Sequence, residues 1–85
     1  MASTPRERLD ELAKLLKAEG FRVDIREESI YVETDKSDIV LTDLPREFIE
    51  EVLRAGYKEL VLVAGKTYYY FHRNDLEKVL QHNTS

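Results

Sequence analysis

The chain has 85 residues, 35% of them charged and 42% hydrophobic, with 13 Lys plus Arg against 17 Asp plus Glu and a net charge of −4. That is room for one domain and one core, too apolar for disorder, too interrupted by charge for a membrane span, and the wrong sign for coating nucleic acid. Without cysteine there are no disulfides, thiolate metal sites or Cys nucleophiles; without an apolar leader after Met1-Ala2-Ser3-Thr4-Pro5, the expected location is the cytoplasm.

Thr4, Pro5 and Glu7 read as N-cap, first helical residue and capping-box acid. Leu9, Leu12, Ala13 and Leu16 follow at the three- and four-residue spacing of a helix. Gly20 ends it at the position where a positive φ is wanted, and Phe21 is the apolar residue that folds back over such an end. From Phe21 the period becomes two. Val23 and Ile25 alternate with Arg22, Asp24 and Arg26, and Ile30, Val32 and Thr34 alternate with Tyr31 and Glu33. A two-residue turn at Glu27-Glu28 sets Ile25 opposite Ile30 and Val23 opposite Val32, with Arg22 facing Glu33 on the other side. Asp35-Lys36-Ser37-Asp38 is a second turn, which makes Ile39 to Leu41 a short third strand.

Asp43 and Pro45 open a second helix with Phe48, Ile49, Val52 and Leu53 on its inward stripe, and Gly56 followed by Tyr57 repeats the earlier stop. Leu60-Val61-Leu62-Val63 is apolar in both directions, like a central strand covered on both sides. Ala64-Gly65-Lys66-Thr67 places Gly first in a two-residue type II′ turn, so Tyr68-Tyr69-Tyr70-Phe71 returns as the hairpin partner. Asn74 and Glu77 form a capping box for a last helix carrying Leu76, Val79 and Leu80, and Gln81 to Ser85 are expected to fray. The predicted fold is α+β, a single domain over residues 1–85 with an ordered core at about 4–81. Its elements run α-β-β-β-α-β-β-α, with a five-stranded mixed sheet in the order 1-2-3-4-5. A right-handed crossover through the second helix makes strands three and four parallel.

Three stretches of this chain resemble the core of the restriction-endonuclease-like fold, and within it the small archaeal Holliday-junction resolvases. They are Arg6-Glu7-Arg8-Leu9 through Gly20-Phe21-Arg22-Val23, then Ile30-Tyr31-Val32-Glu33, then Leu60 to Phe71 with Asp75-Leu76-Glu77. The resemblance implies a nuclease site in which one acid, followed by an acid and a lysine one residue apart, holds Mg²⁺ and positions a water beside the phosphate. The candidates for it are Asp24, Glu33, Asp35 and Lys36, with Asp38 as a further acid. The spacing departs from that pattern: Thr34 and Asp35 both separate Glu33 from Lys36, so in an extended strand those two side chains point to opposite faces. The plainer reading pairs Glu33 with Arg22 and leaves Asp35, Lys36 and Asp38 as a polar turn. Leu44-Pro45-Arg46-Glu47-Phe48-Ile49 through Leu53-Arg54-Ala55-Gly56-Tyr57 resembles the second helix of the HicA-type toxins, small RNA-cleaving proteins of the double-stranded-RNA-binding fold. Ser29-Ile30-Tyr31 stands where that family has Gly-Ser-His, so its cleavage chemistry does not carry over. The acidic second helix also opposes an RNA backbone.

His72 and His82 are the only histidines, too few for a histidine metal site, and Ser29, Ser37 and Thr67 have no evident base partner. More is carried by the tyrosine run. In the Gly65-Lys66 register, Leu62 and Leu60 oppose Tyr69 and Phe71 on one face, while Val63 and Val61 oppose Tyr68 and Tyr70 on the other. Two readings stay open. If all helices pack on one side, Val61, Val63, Tyr68 and Tyr70, with Tyr31 and Val40, form an exposed apolar patch of the kind that binds. If helices cover both sides, the tyrosines are core.

The first reading makes the chain a small non-catalytic interaction or assembly module, a homodimer or the partner of another protein, with no cofactor and no membrane. The alternative class is a nucleic-acid enzyme or its relic, the only case that calls for Mg²⁺, or a binder that stacks single-stranded bases on aromatics beside Arg22, Arg26 and Lys66. The negative net charge disfavours it. The agreement of caps and turns also suits an artificial (de novo) sequence with no biological function. The ion-rich, Cys-free composition suits a heat-loving source with a thermostable protein.

Overall fold

The computed structural model describes residues 5–82; the expected Thr4 cap and the tail after residue 82 lie outside the described residues. Its elements are α1 (Pro5–Ala18), β1 (Arg22–Ile25), β2 (Ser29–Thr34), a 3₁₀ turn (Leu41–Asp43), α2 (Arg46–Arg54), β3 (Glu59–Ala64), β4 (Thr67–His72) and α3 (Arg73–His82). Among the described residues, no helix is long and apolar enough to cross a membrane.

The first two helices end as the glycines require. The Phe21 N–H donates to the Leu16 carbonyl at 3.0 Å and the Gly20 N–H to the Lys17 carbonyl at 3.1 Å, with Gly20 at φ 98°. Tyr57 to Val52 (3.3 Å) and Gly56 to Leu53 (3.1 Å) repeat the pattern, with Gly56 at φ 87°. This pair of bonds caps the last carbonyls of each helix and turns the chain directly toward a strand. Phe21 and Tyr57, the residues after each glycine, are buried against the core.

Both hairpin registers follow the alternation. Val23 faces Val32 and Ile25 faces Ile30 in the first; Leu62 faces Tyr69 and Leu60 faces Phe71 in the second. Gly65 has φ 62°, and among the described residues none other than glycine has a positive φ, so Lys66 does not share it. The turn is therefore II′ and not I′. The Glu27-Glu28 turn holds with the expected length: the Arg26 N–H donates to the Ser29 carbonyl at 2.9 Å. Lys58 steadies its far side, the N–H donating to the Glu28 carbonyl at 2.8 Å.

The sheet has four strands, in the order β1-β2-β3-β4, and not the five expected. Ile39 to Leu41 is not a strand. The Val40 N–H donates to Asp43 Oδ2 at 2.9 Å, and the Asp43 N–H donates back to the Val40 carbonyl at 2.9 Å. These local bonds satisfy Val40 within a tight turn, removing the groups a ladder would have used. Asp43 is thereby spent on the turn, and Pro45 takes the N-cap position of α2 in its place. With that strand gone, β2 and β3 become the parallel pair, Ile30 beside Leu60 and Val32 beside Leu62. The last helix also starts one residue earlier than its expected cap: the His72 N–H donates to Asp75 Oδ2 at 3.1 Å, leaving Asn74 inside the helix. It extends through Gln81 and His82.

All three helices lie on one side of the sheet. Leu9, Leu12 and Leu16 of α1, Phe48, Ile49 and Val52 of α2, and Leu76 of α3 share a single core with Ile30, Val32, Leu60 and Leu62. Arg73 ties two of them together, its guanidinium donating to the Tyr57 carbonyl at 2.8 Å and the Leu53 carbonyl at 3.1 Å. These are carbonyls at and just beyond the end of α2, where a cation is favoured.

Candidate interaction surface

Strand alternation sends Tyr31, Val61, Val63, Tyr68 and Tyr70 to the face opposite the helices. Val61 lies between Tyr31 on β2 and Tyr70 on β4, and Val63 lies between Glu33 and Tyr68. Both valines fall outside the helix-side core, yet Val61 is 0% and Val63 6% exposed. A valine is short, and long side chains flank each one across the pleat, so the neighbours roof it over. The expected patch is thus corrected in detail: the valines form its floor, and the exposed groups are Tyr68 and Tyr70, at 55% and 58%. Val40 is exposed too, but on the helix side.

The other half of this face is charged. Arg26 lays its guanidinium 4.2 Å from the centre of the Tyr31 ring and donates through Nε to Asp24 Oδ2 at 2.9 Å. That hydrogen bond, followed by the charge of Asp24, raises the Arg26 pKa above its ordinary value. The stacked cation completes the cover over Tyr31. The face therefore divides into an ion-paired side along β1 and an aromatic side along β4.

On the helix side, an apolar cavity of about 390 Å³ opens beside β4, lined by Ile39, Val40, Leu41, Thr42, Leu62, Tyr69, Phe71 and Val79. The missing strand explains it, because the 35–44 connection crosses here as a loop. Tyr69 points to this side and remains 42% exposed. Residue alternation gives no sign of the cavity. The signal for it was Asp43, three residues after Val40 and placed to cap it.

The candidate nuclease residues are dispersed or paired. Asp24 holds Arg26. Asp35, and not Glu33, is the carboxylate in an ion pair with Arg22, at 3.7 Å between exposed groups. Lys36 follows the end of β2, its backbone N–H on Thr34 Oγ1 at 3.3 Å. Among the described residues, no three Asp, Glu or His side chains gather as a metal-holding group, so these residues do not fit the Mg²⁺ centre that the nuclease resemblance implies. His72 closes β4 and is engaged through its backbone with Asp75. Ser29 and Thr67 begin strands and Ser37 passes beside Gly65. Glu51 of α2 is buried with one oxygen accepting from Arg54 at 2.6 Å, on the helical layer away from the tyrosines.

Comparison with family models, curated proteins and solved structures finds no match to this chain.

Proposed function

We propose that the chain is a non-catalytic interaction module whose contact surface is the β4 side of the open sheet face, centred on Tyr68 and Tyr70. One observation carries this reading: two tyrosines more than half exposed stand side by side above buried valines, on the face opposite all three helices. A partner that covered them would remove roughly 100 Å² of mostly apolar surface per ring, on the order of 2 kcal/mol each. Their floor is buried before any partner arrives, and a contact surface already formed costs less entropy to bind. Their hydroxyls supply polar tips for a rim. On the same face Asp24, Glu33 and Glu59 outnumber Arg22 and Arg26 by one, a balance that favours a protein partner over a nucleic-acid backbone.

The test compares wild type with the double variant Tyr68→Ser/Tyr70→Ser by sedimentation, light scattering and solubility. The wild type should associate more strongly and be less soluble, and both proteins should give the same circular dichroism. A variant unchanged in association and in solubility would refute the reading.

A further inference from the structure

β4 is the last strand of the sheet and is bonded to β3 alone. Half of its backbone N–H and C=O groups therefore point away from the sheet with no strand beside them. Folded proteins protect such edges with charges, prolines, bulges, very short strands or a covering helix or loop. The first four are absent along β4, and among the described residues the 35–44 loop and α3 lie on its helix side without a backbone-to-backbone hydrogen bond to residues 67–71. Its six residues match β3 one for one without a bulge. All but Phe71 are exposed, and from Thr67 to Phe71 there is neither a charge nor a proline.

We propose that this edge pairs antiparallel with β4 of a second copy of the chain, about a two-fold axis at Tyr69. The inference rests on the contact surface proposed above and names its occupant. The run is self-complementary about its middle residue. With Tyr69 facing the partner's Tyr69, Tyr68 faces the partner's Tyr70, Tyr70 faces the partner's Tyr68, and Thr67 faces the partner's Phe71. Directly opposite residues share a face, so the two Tyr68–Tyr70 pairs join the open faces of both copies into one aromatic surface. The Tyr69 pair meets on the helix side, next to the cavity edged by Val40. Moving the axis to Tyr70 would set Tyr68 against the partner's His72 and leave one tyrosine pair in place of three.

Charge and area set the strength. Each copy carries −4, but the paired segment is uncharged, so repulsion acts from a distance and is screened by salt. At 55%, 42% and 58% exposed, the three rings hold roughly 300 Å² per copy, against roughly 800 Å² per partner in a standard interface. The expected product is a weak dimer that forms as concentration rises.

A charge exchange at the axis tests this. Tyr69→Lys and Tyr69→Glu each place like charges face to face and should weaken self-association at least about tenfold, while an equal mixture should form a one-to-one heterodimer. Because the chain lacks cysteine, Tyr69→Cys supplies a second measurement that needs no charged variant to fold: mild oxidation should link two copies at this position far faster than at Glu11→Cys on α1. Facing residues in a strand pair come close to disulfide spacing. The pairing is overturned if the wild type forms no dimer, if both charged variants dimerise like the wild type, or if the mixture stays monomeric. Should the charged variants dimerise normally while Tyr68→Ser/Tyr70→Ser abolishes association, the copies meet face to face. The contact surface would then stand and the edge pairing would fall. Should a strictly monomeric wild type still be less soluble than that double variant, the surface stands with a different partner.

Discussion

Replacing Val61 with threonine asks whether a strand face without helices can still be dry. The substitution keeps the size of the side chain and adds one hydroxyl, under Tyr31 and Tyr70, at a position 0% exposed. A hydroxyl moved out of water without a partner costs about 1–3 kcal/mol in protein measurements. The tyrosines sit at an open surface and relax more easily than a closed core, so the lower part of that range, about 1–2 kcal/mol, is the expected loss for Val61→Thr. For a domain of this length, whose whole stability is on the order of 4–13 kcal/mol, that is a measurable fraction. Urea unfolding at low micromolar concentration, where association does not contribute, should show a lower midpoint with an unchanged m-value. Val32→Thr, equally buried but under the helices, is the control. If Val61→Thr stays within about 0.5 kcal/mol of wild type, as a surface change would, while Val32→Thr is destabilised, then water reaches Val61 and the roof described here does not exist.

Two further outcomes follow from the helix ends. Gly56→Ala should cost about 1–2 kcal/mol from the backbone alone, since φ is 87° and a Cβ would meet nothing within 4 Å; urea unfolding that found no loss would mean the helix can end without the left-handed residue. Arg73→Met keeps an unbranched apolar stem but removes both donors to the Leu53 and Tyr57 carbonyls. It should cost about 1.5–3 kcal/mol, the range for hydrogen bonds to charged groups, and a thermal midpoint equal to wild type would show that water replaces the guanidinium at no cost.

What could be read from the sequence was local. Both hairpins came out in register because a strand's side chains repeat every two residues and a two-residue loop leaves only one alignment that buries both apolar rows. The ends of α1 and α2 were legible because glycine followed by an aromatic residue states the backbone geometry and the packing together. Ile39 to Leu41 failed because three alternating residues are too few to separate a strand from a loop, and the Asp43 side chain satisfied the Val40 N–H first. The wrong parallel pair came from that one error. At α3, Asn74 and Asp75 are both good caps by composition, and only the reach back to His72 decides between them. For the candidate surface, alternation assigned Val61 and Val63 to the correct face. Their burial depends on how neighbouring rings lie across three strands, which no one-dimensional pattern contains.

The two margins of the sheet are built unlike one another. β1 has four residues, Arg22 and Asp24 among them, with Arg26 next in line, while β4 is longer and uncharged over its middle. A sheet with two bare margins would let copy add to copy without end and give fibres. In the proposed pairing the bare margin would be consumed when two molecules meet, leaving a short charged strand outermost on each side. Growth would then stop at the pair.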